Sequence, residues 1–210
     1  MKVVEIFNSI EGEGIRAGLP CTFIRLYGCN LHCSYCDSRY ACEGSEYIVM
    51  SIQEILDSVS QWGCKLITVT GGEPLMHSGI DELLMRLHEL GYKVNVETNG
   101  SQVPTVPGVT YTVDFKTLSS GMSKYMNVRA FQFLDDTDVV KFVVGNEEDL
   151  NQALEFMETS GCRAQVFVSP IFDKIQASEI VDYIQRHKLW NWRVQLQMHK
   201  YIWDPNQRGV

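Results

Sequence analysis

The sequence predicts an α/β protein built as a partial (β/α) barrel of about six strands. Three observations lead there. Strand-like and helix-like segments alternate along most of the chain, the segments richest in chemically useful side chains fall at the C-terminal ends of the strands, and 210 residues fall short of the about 250 that a complete eight-unit barrel takes. Repeated βα units imply a mainly parallel sheet. At this length, with 45% hydrophobic residues, one sizeable core is expected, so 1–210 is read as a single domain.

The elements follow in order. Thr22 to Tyr27 reads as a strand. Ser51-Ile52-Gln53-Glu54 is a capping box that opens a helix with Ile52, Ile55, Leu56 and Val59 on one face. Lys65 to Thr70 reads as a buried strand, followed by a helix from about Ile80 through Leu83, Leu84 and Leu87 that stops near Gly91. Tyr92 to Glu97 is the next strand, and further strands are predicted at 109–114, 138–144, 164–168 and 193–197, with helices near 147–159 and 176–188. The segment 117–137 is long for a plain connection and admits a short helix between Lys124 and Leu134.

A formal charge of −8 and a pI near 5.1 argue against a general affinity for nucleic acid or an anionic membrane, so a small molecule is the expected partner. The N-terminus lacks a signal-peptide pattern and no apolar run reaches membrane-spanning length, which predicts a cytoplasmic protein. Three of the seven cysteines crowd into one loop; the other four, Cys21, Cys42, Cys64 and Cys162, are scattered and read as small apolar core residues.

Cys29, Cys33 and Cys36 stand as Cys-x3-Cys-x2-Cys directly after the Thr22–Tyr27 strand. Structural zinc takes four ligands in a closed tetrahedron, whereas a four-iron cluster held by three thiolates leaves one iron open for chemistry. A zinc knuckle completed by Cys42 or His32 is the alternative. Thr70-Gly71-Gly72-Glu73-Pro74 follows the next strand, and its glycines are expected to let backbone approach a ligand. Glu97-Thr98-Asn99-Gly100 and Asp114-Phe115-Lys116 end the two strands after it, and Ser169-Pro170 and His199-Lys200 lie at equivalent places. Parallel βα folds assemble their sites at this one edge.

The cysteine spacing, with Tyr35 before the last cysteine and the Gly-Gly-Glu turn, resembles the signature of the radical S-adenosylmethionine (SAM) superfamily. Within it, the chain resembles the 7-carboxy-7-deazaguanine synthases. The resemblance runs over nearly the whole length, through Glu5 to Gly14, Phe23-Ile24-Arg25-Leu26, Cys36-Asp37-Ser38, Val69 to Pro74, Glu97 to Gly100 and His199 to Trp203. It implies conversion of 6-carboxy-5,6,7,8-tetrahydropterin to 7-carboxy-7-deazaguanine with loss of ammonia, for queuosine and related 7-deazapurines. A reduced [4Fe-4S] cluster would split SAM to a radical that takes hydrogen from C6 of the pterin, and the protein would orient the substrate.

The same resemblance assigns residues. Cys29, Cys33 and Cys36 would hold the cluster, and Ser38 would help bind Mg2+, which takes few protein ligands. Gly72, Glu73, Glu97, Asn99, Asp114, Phe115, Lys116 and Ser169 would contact the cofactor. Ile10, Glu11, Gly12 and Thr70 would line the pterin, Arg25 would take its carboxylate through a bidentate fork, and the tail ending at Val210 would close over it, with a frayed tail as the alternative. Glu11 stands where the family often has Gln, and Ser38 where it usually has Thr. An electron donor such as flavodoxin or ferredoxin and a homodimer are implied too. The rival readings are a radical SAM activase that makes a glycyl radical on a partner protein, and a non-catalytic metal-binding module.

Overall fold

The structure is a computed structural model that describes residues 1–44, 46–204 and 207–210. In chain order its elements are β1 (Lys2–Ile10), β2 (Pro20–Leu26), α1 (Arg39–Cys42), β3 (Ile48–Val49), α2 (Ile52–Ser60), β4 (Leu66–Gly71), α3 (Ile80–Glu89) and β5 (Lys93–Thr98). Then come β6 (Thr110–Phe115), α4 (Val128–Gln132), β7 (Val139–Val144), α5 (Glu147–Ser160), β8 (Gln165–Pro170), α6 (Ala177–Arg186), β9 (Trp192–Val194) and α7 (His199–Ile202).

All strands belong to one sheet of order β3-β1-β2-β4-β5-β6-β7-β8-β9. From β2 onward neighbours are parallel, while β1 runs antiparallel to both β2 and β3. The sheet does not pair β3 with β9, so the predicted α/β partial barrel is open, with nine strands. The extra strands lie mostly at the N-terminal edge. In β1, Glu5, Asn8 and Ser9 interrupt the apolar run of Val3, Val4, Ile6 and Phe7, and its partner is supplied by hairpin pairing, Ile6 on Ile24 and Ile10 on Pro20. The cysteine loop therefore follows the second strand of the chain.

Strand residues alternate between two faces. Ile67 and Val69, Val94 and Val96, Tyr111 and Val113, Val140 and Phe142, and Val166 and Val168 all join the core under the helices. They meet Ile55, Leu56 and Val59 of α2, Leu83, Leu84 and Leu87 of α3, Leu150 and Ala153 of α5, and Ile180, Tyr183 and Ile184 of α6. The expected capping box of α2 is complete: Glu54 N donates to Ser51 Oγ while Ser51 N donates to the Glu54 carboxylate. The opposite face carries Thr68 and Thr70, Asn95 and Glu97, Thr112 and Asp114, Lys141 and Ser169. This is a polar lumen.

Within 117–137 the expected short helix is α4, packed through Phe131 onto Phe115 and Phe156. The β5-to-β6 crossover has no helix, and turns over 99–109 replace it. The barrel's gap is bridged by the turn between β1 and β2. Gly14 N donates to Gln195 Oε1 at 2.8 Å and Met198 N donates to Gly12 O at 3.1 Å, which ties residues 12–14 to the segment after β9.

Candidate active site

The cysteine loop is fastened from three sides. Glu73 N donates to Gly28 O (2.8 Å), Asn99 Nδ2 donates to Asn30 Oδ1 (3.0 Å) and lies 3.6 Å from Cys29 Sγ, and Ser34 N donates to Ser120 O (3.1 Å). Cys29 is held down to about 6 and Cys36 to about 7, first by the neighbouring Cys42 thiol, with Lys116 adding a favourable positive charge. Burial pushes the Cys33 thiol up to about 11. Two of the three thiols thus favour the thiolate that a metal requires. Among the described residues no three His, Cys, Asp or Glu side chains close on a single ion. Cys42, expected in the core, instead stands beside Cys29 and Cys36 because the single turn of α1 brings it back over the loop.

The Gly-Gly turn packs closely on the segment that leads into the cysteine loop. A Cβ on Gly72 would lie 2.0 Å from Gly28 O, and one on Gly71, whose φ is +131°, would lie 2.1 Å from Leu26 O. These glycines let β4 approach the end of β2 and the backbone of the cysteine loop closely. Glu73 is likewise committed. Fully buried, its carboxylate accepts from Thr98 Oγ1 (2.6 Å), Asn99 N (2.7 Å) and Leu75 N (3.0 Å) and pins the ends of β4 and β5 together. Burial outweighs these donors and raises it to about 7.

Phe115 requires a correction. It follows Asp114 on β6, so it faces the helices and packs on Phe131, Phe142 and Phe156, leaving only its backbone near the lumen. Asp114 faces inward, its Oδ2 2.9 Å from Lys116 Nζ and 3.4 Å from Lys141 Nζ, while its buried Oδ1 has no partner among the described residues. The buried Tyr35 hydroxyl is also without a partner there. The charges of Lys116 and Asp114 and the thiol of Cys33 act on it, so these polar groups form a cradle beside the cysteines. Ser169 Oγ lies 3.4 Å from Glu13 Oε1.

On the other side, Arg25 of β2 sits opposite Glu5 on β1 and beside Thr70 on β4. Its Nε donates to Glu5 Oε1 at 2.7 Å, as does the Tyr40 hydroxyl at 2.8 Å. The Nη groups have no hydrogen-bond partner among the described residues, so a fork remains for a carboxylate. Thr70 Oγ1 donates to Glu97 Oε2 at 2.7 Å. In the tail, Arg208 stacks 4.0 Å over the Tyr40 ring and meets Glu46 at 3.3 Å, and Gly209 lies beside Glu5, with Val210 half-buried after it. Ser38 Oγ donates to Asp37 Oδ1 at 2.8 Å, and Lys200 Nζ lies 3.6 Å from Asp37 Oδ2, which gives two oxygen donors and a competing cation. Ile10 ends β1 and leads into Gly12, where a Cβ would come within 2.5 Å of His199 Nδ1.

Glu11 lies deepest. It is 2% exposed and accepts from Thr68 Oγ1. Burial raises its carboxyl from 4.5 to about 7, the Glu97 carboxylate adds to the rise, and the Thr68 hydroxyl opposes it. Because the folded state prefers the protonated acid, its contribution to stability is whole below pH 4.5 and is lost as pH rises towards 7. Glu11→Gln removes that loss. Urea unfolding of the apo-protein is expected to show the variant gaining on wild type by up to about 3 kcal/mol between pH 4.5 and pH 8; a constant difference across that range would contradict the protonated reading.

Glu13 lies in the Glu5-to-Gly14 segment with no role assigned to it from sequence, and Lys141 carries no motif. Lys141 interrupts the apolar run Val139-Val140-Lys141-Phe142, and a lysine inside a central strand was the available signal.

Residues 23–158 match the family model of the radical SAM superfamily. A 7-carboxy-7-deazaguanine synthase of Clostridium acetobutylicum is 40% identical over 100% of this chain and 99% of its own length. The chain belongs to the 7-carboxy-7-deazaguanine synthase family of radical SAM enzymes. A second member, from Methanospirillum hungatei, is 38% identical over 98% of this chain and 86% of its own. The crystal structure of QueE from Escherichia coli superposes with a TM-score of 0.80 at 24% identity, covering 94% of each chain, which shows a shared fold. Membership implies a [4Fe-4S] cluster and SAM, and the three-thiol loop and the polar cradle beside it suit them. It also sets aside the non-catalytic module. Among the described residues no helix is long and apolar enough to cross a membrane.

Proposed function

We propose that this chain acts as a single catalytic domain that converts 6-carboxy-5,6,7,8-tetrahydropterin to 7-carboxy-7-deazaguanine with release of ammonia, a carbon–nitrogen lyase reaction serving queuosine and related 7-deazapurines. The observation that carries the reading is the arrangement of the lumen: a free guanidinium fork on Arg25, a polar floor of Glu11 and Thr68, and the cysteine loop that follows Arg25's own strand and reaches Asn99. The names borne by full-length relatives support the same reaction.

Cys29, Cys33 and Cys36 would hold the cluster, and the cradle of Tyr35, Asp114 and Lys116 would take SAM. Together these groups supply the radical that removes hydrogen from the substrate. The chain's own residues do the rest. Arg25 holds the substrate carboxylate, with its Nε braced by Glu5 so that the Nη fork keeps one direction. Glu97 is aimed by Thr70 and offers an acceptor to the N–H donors of a pterin ring. Glu11, whose carboxyl burial raises to about 7, offers both a donor and an acceptor in its protonated form, as the glutamine common in the family would. The tail over Tyr40 shields the Arg25 end from water. Asp37 and Ser38 would offer oxygens to Mg2+, with Lys200 Nζ standing beside Asp37 as a competing cation. A flavodoxin or ferredoxin would deliver the electron, and the active form would be a homodimer.

The test is direct. Anaerobically reconstituted protein, reduced with dithionite and given SAM, Mg2+ and the carboxytetrahydropterin, is expected to yield carboxydeazaguanine by mass spectrometry. An intact four-iron cluster that cleaves SAM without forming that product would sink the assignment. Arg25→Met is expected to raise KM about 30-fold or more through loss of a charge-assisted bidentate pair.

A further inference from the structure

Lys141 is costly to keep. Its side chain is 11% exposed in the middle of β7, where Val140 and Phe142 on either side face the helices. An apolar residue of similar size often serves stability as well as a buried ion pair does. The ammonium instead bridges two chain segments: Nζ lies 3.2 Å from Glu13 Oε2, in the turn after β1, and 3.4 Å from Asp114 Oδ2, on β6. Each of these acids has further ties on its own side. Glu13 is approached by Ser169 and Gln197, and its segment carries Gly12 against His199. Asp114 holds Lys116, and its other oxygen is buried and still lacks a donor. We propose that Lys141 is a positioning residue that locks Glu13 to Asp114 across the lumen and thereby couples pterin binding, on the Glu13 side, to SAM binding, on the Asp114 side.

The inference rests on the function proposed above. A bridge of this kind makes the coupling reciprocal, so either ligand orders the acid that the other needs. Cluster-reconstituted protein is titrated with 6-carboxypterin, the oxidised and unreactive form of the substrate, by fluorescence, with and without saturating SAM. Wild type is expected to bind the pterin about 5-fold or more tightly with SAM present. Lys141→Met is expected to abolish that difference and Lys141→Arg to restore it, a pattern that a purely structural lysine does not produce. Should Lys141→Met fail to fold, Glu13→Gln and Asp114→Asn each take its place and are expected to lower the same ratio. Full coupling in a folded Lys141→Met, or in both replacement variants, overturns the proposal, as does a wild type that binds both ligands independently. A wild type that binds neither ligand overturns the functional reading beneath it.

Discussion

Cys33→Ala is expected to leave a folded protein that holds no intact four-iron cluster and forms no detectable 5′-deoxyadenosine from SAM. The residue is 7% exposed and sits between Leu31 and the Ser34 contact with Ser120, so trimming one sulfur disturbs little packing. The cost to the apo-protein is about 1 kcal/mol. The cluster, by contrast, loses one of three ligands that leave no spare. Cys42→Ala is the matched control. Cys42 adjoins Cys29 and Cys36 without belonging to the motif, so its removal is expected to keep both iron content and SAM cleavage. Iron and sulfide analysis with quantified 5′-deoxyadenosine separates the two, and equal iron in Cys33→Ala and wild type would remove the three-cysteine assignment.

Gly72→Ala is expected to damage the fold and the site together. The added methyl group would lie 2.0 Å from Gly28 O, 2.4 Å from Gly28 C and 3.0 Å from Cys29 N. These are backbone atoms, so relief requires the cysteine loop to move away from β4. That motion breaks the bond from Glu73 N to Gly28 O and carries Cys29 away from Asn99. Overpacking against an immobile backbone costs about 3 kcal/mol, or roughly 6–12 °C in melting temperature for a chain of this size. Calorimetry on the apo-protein reads the first effect and iron content after reconstitution reads the second. A variant that melts with wild type and fills normally would show that the loop and the glycine turn are not one unit.

Both expectations join one feature visible in the sequence to one that is not. Cysteine spacing, the Gly-Gly-Glu turn and the helix periodicities are local, so they could be read directly: α2 with its capping box, α3, α5 and α6 lie within a few residues of their predicted places. Strand β1 was hidden because its pattern is made regular by β2 rather than by its own alternation. Phe115 was assigned to the cofactor because it lies within a motif, yet a strand sends adjacent side chains to opposite faces. Alternation in Thr68-Val69-Thr70, Asn95-Val96-Glu97 and Thr112-Val113-Asp114 held the information that one face of a buried sheet is polar.

The sequence by itself determined the chemistry: three thiolates on one short loop, a parallel α/β sheet to carry them, and a row of polar groups at the strand ends. Tertiary structure alone decided the partners. It spent the Gly-Gly turn on backbone contact and Glu73 on pinning two strands, turned Arg25 against Glu5, and drew Glu13 and Lys141 together across a separation of 128 residues. The reason is that ligand spacing and helix periodicity arise within a few bonds of chain. The charge state and direction of a buried side chain depend on which distant group the folded sheet brings within about 4 Å of it.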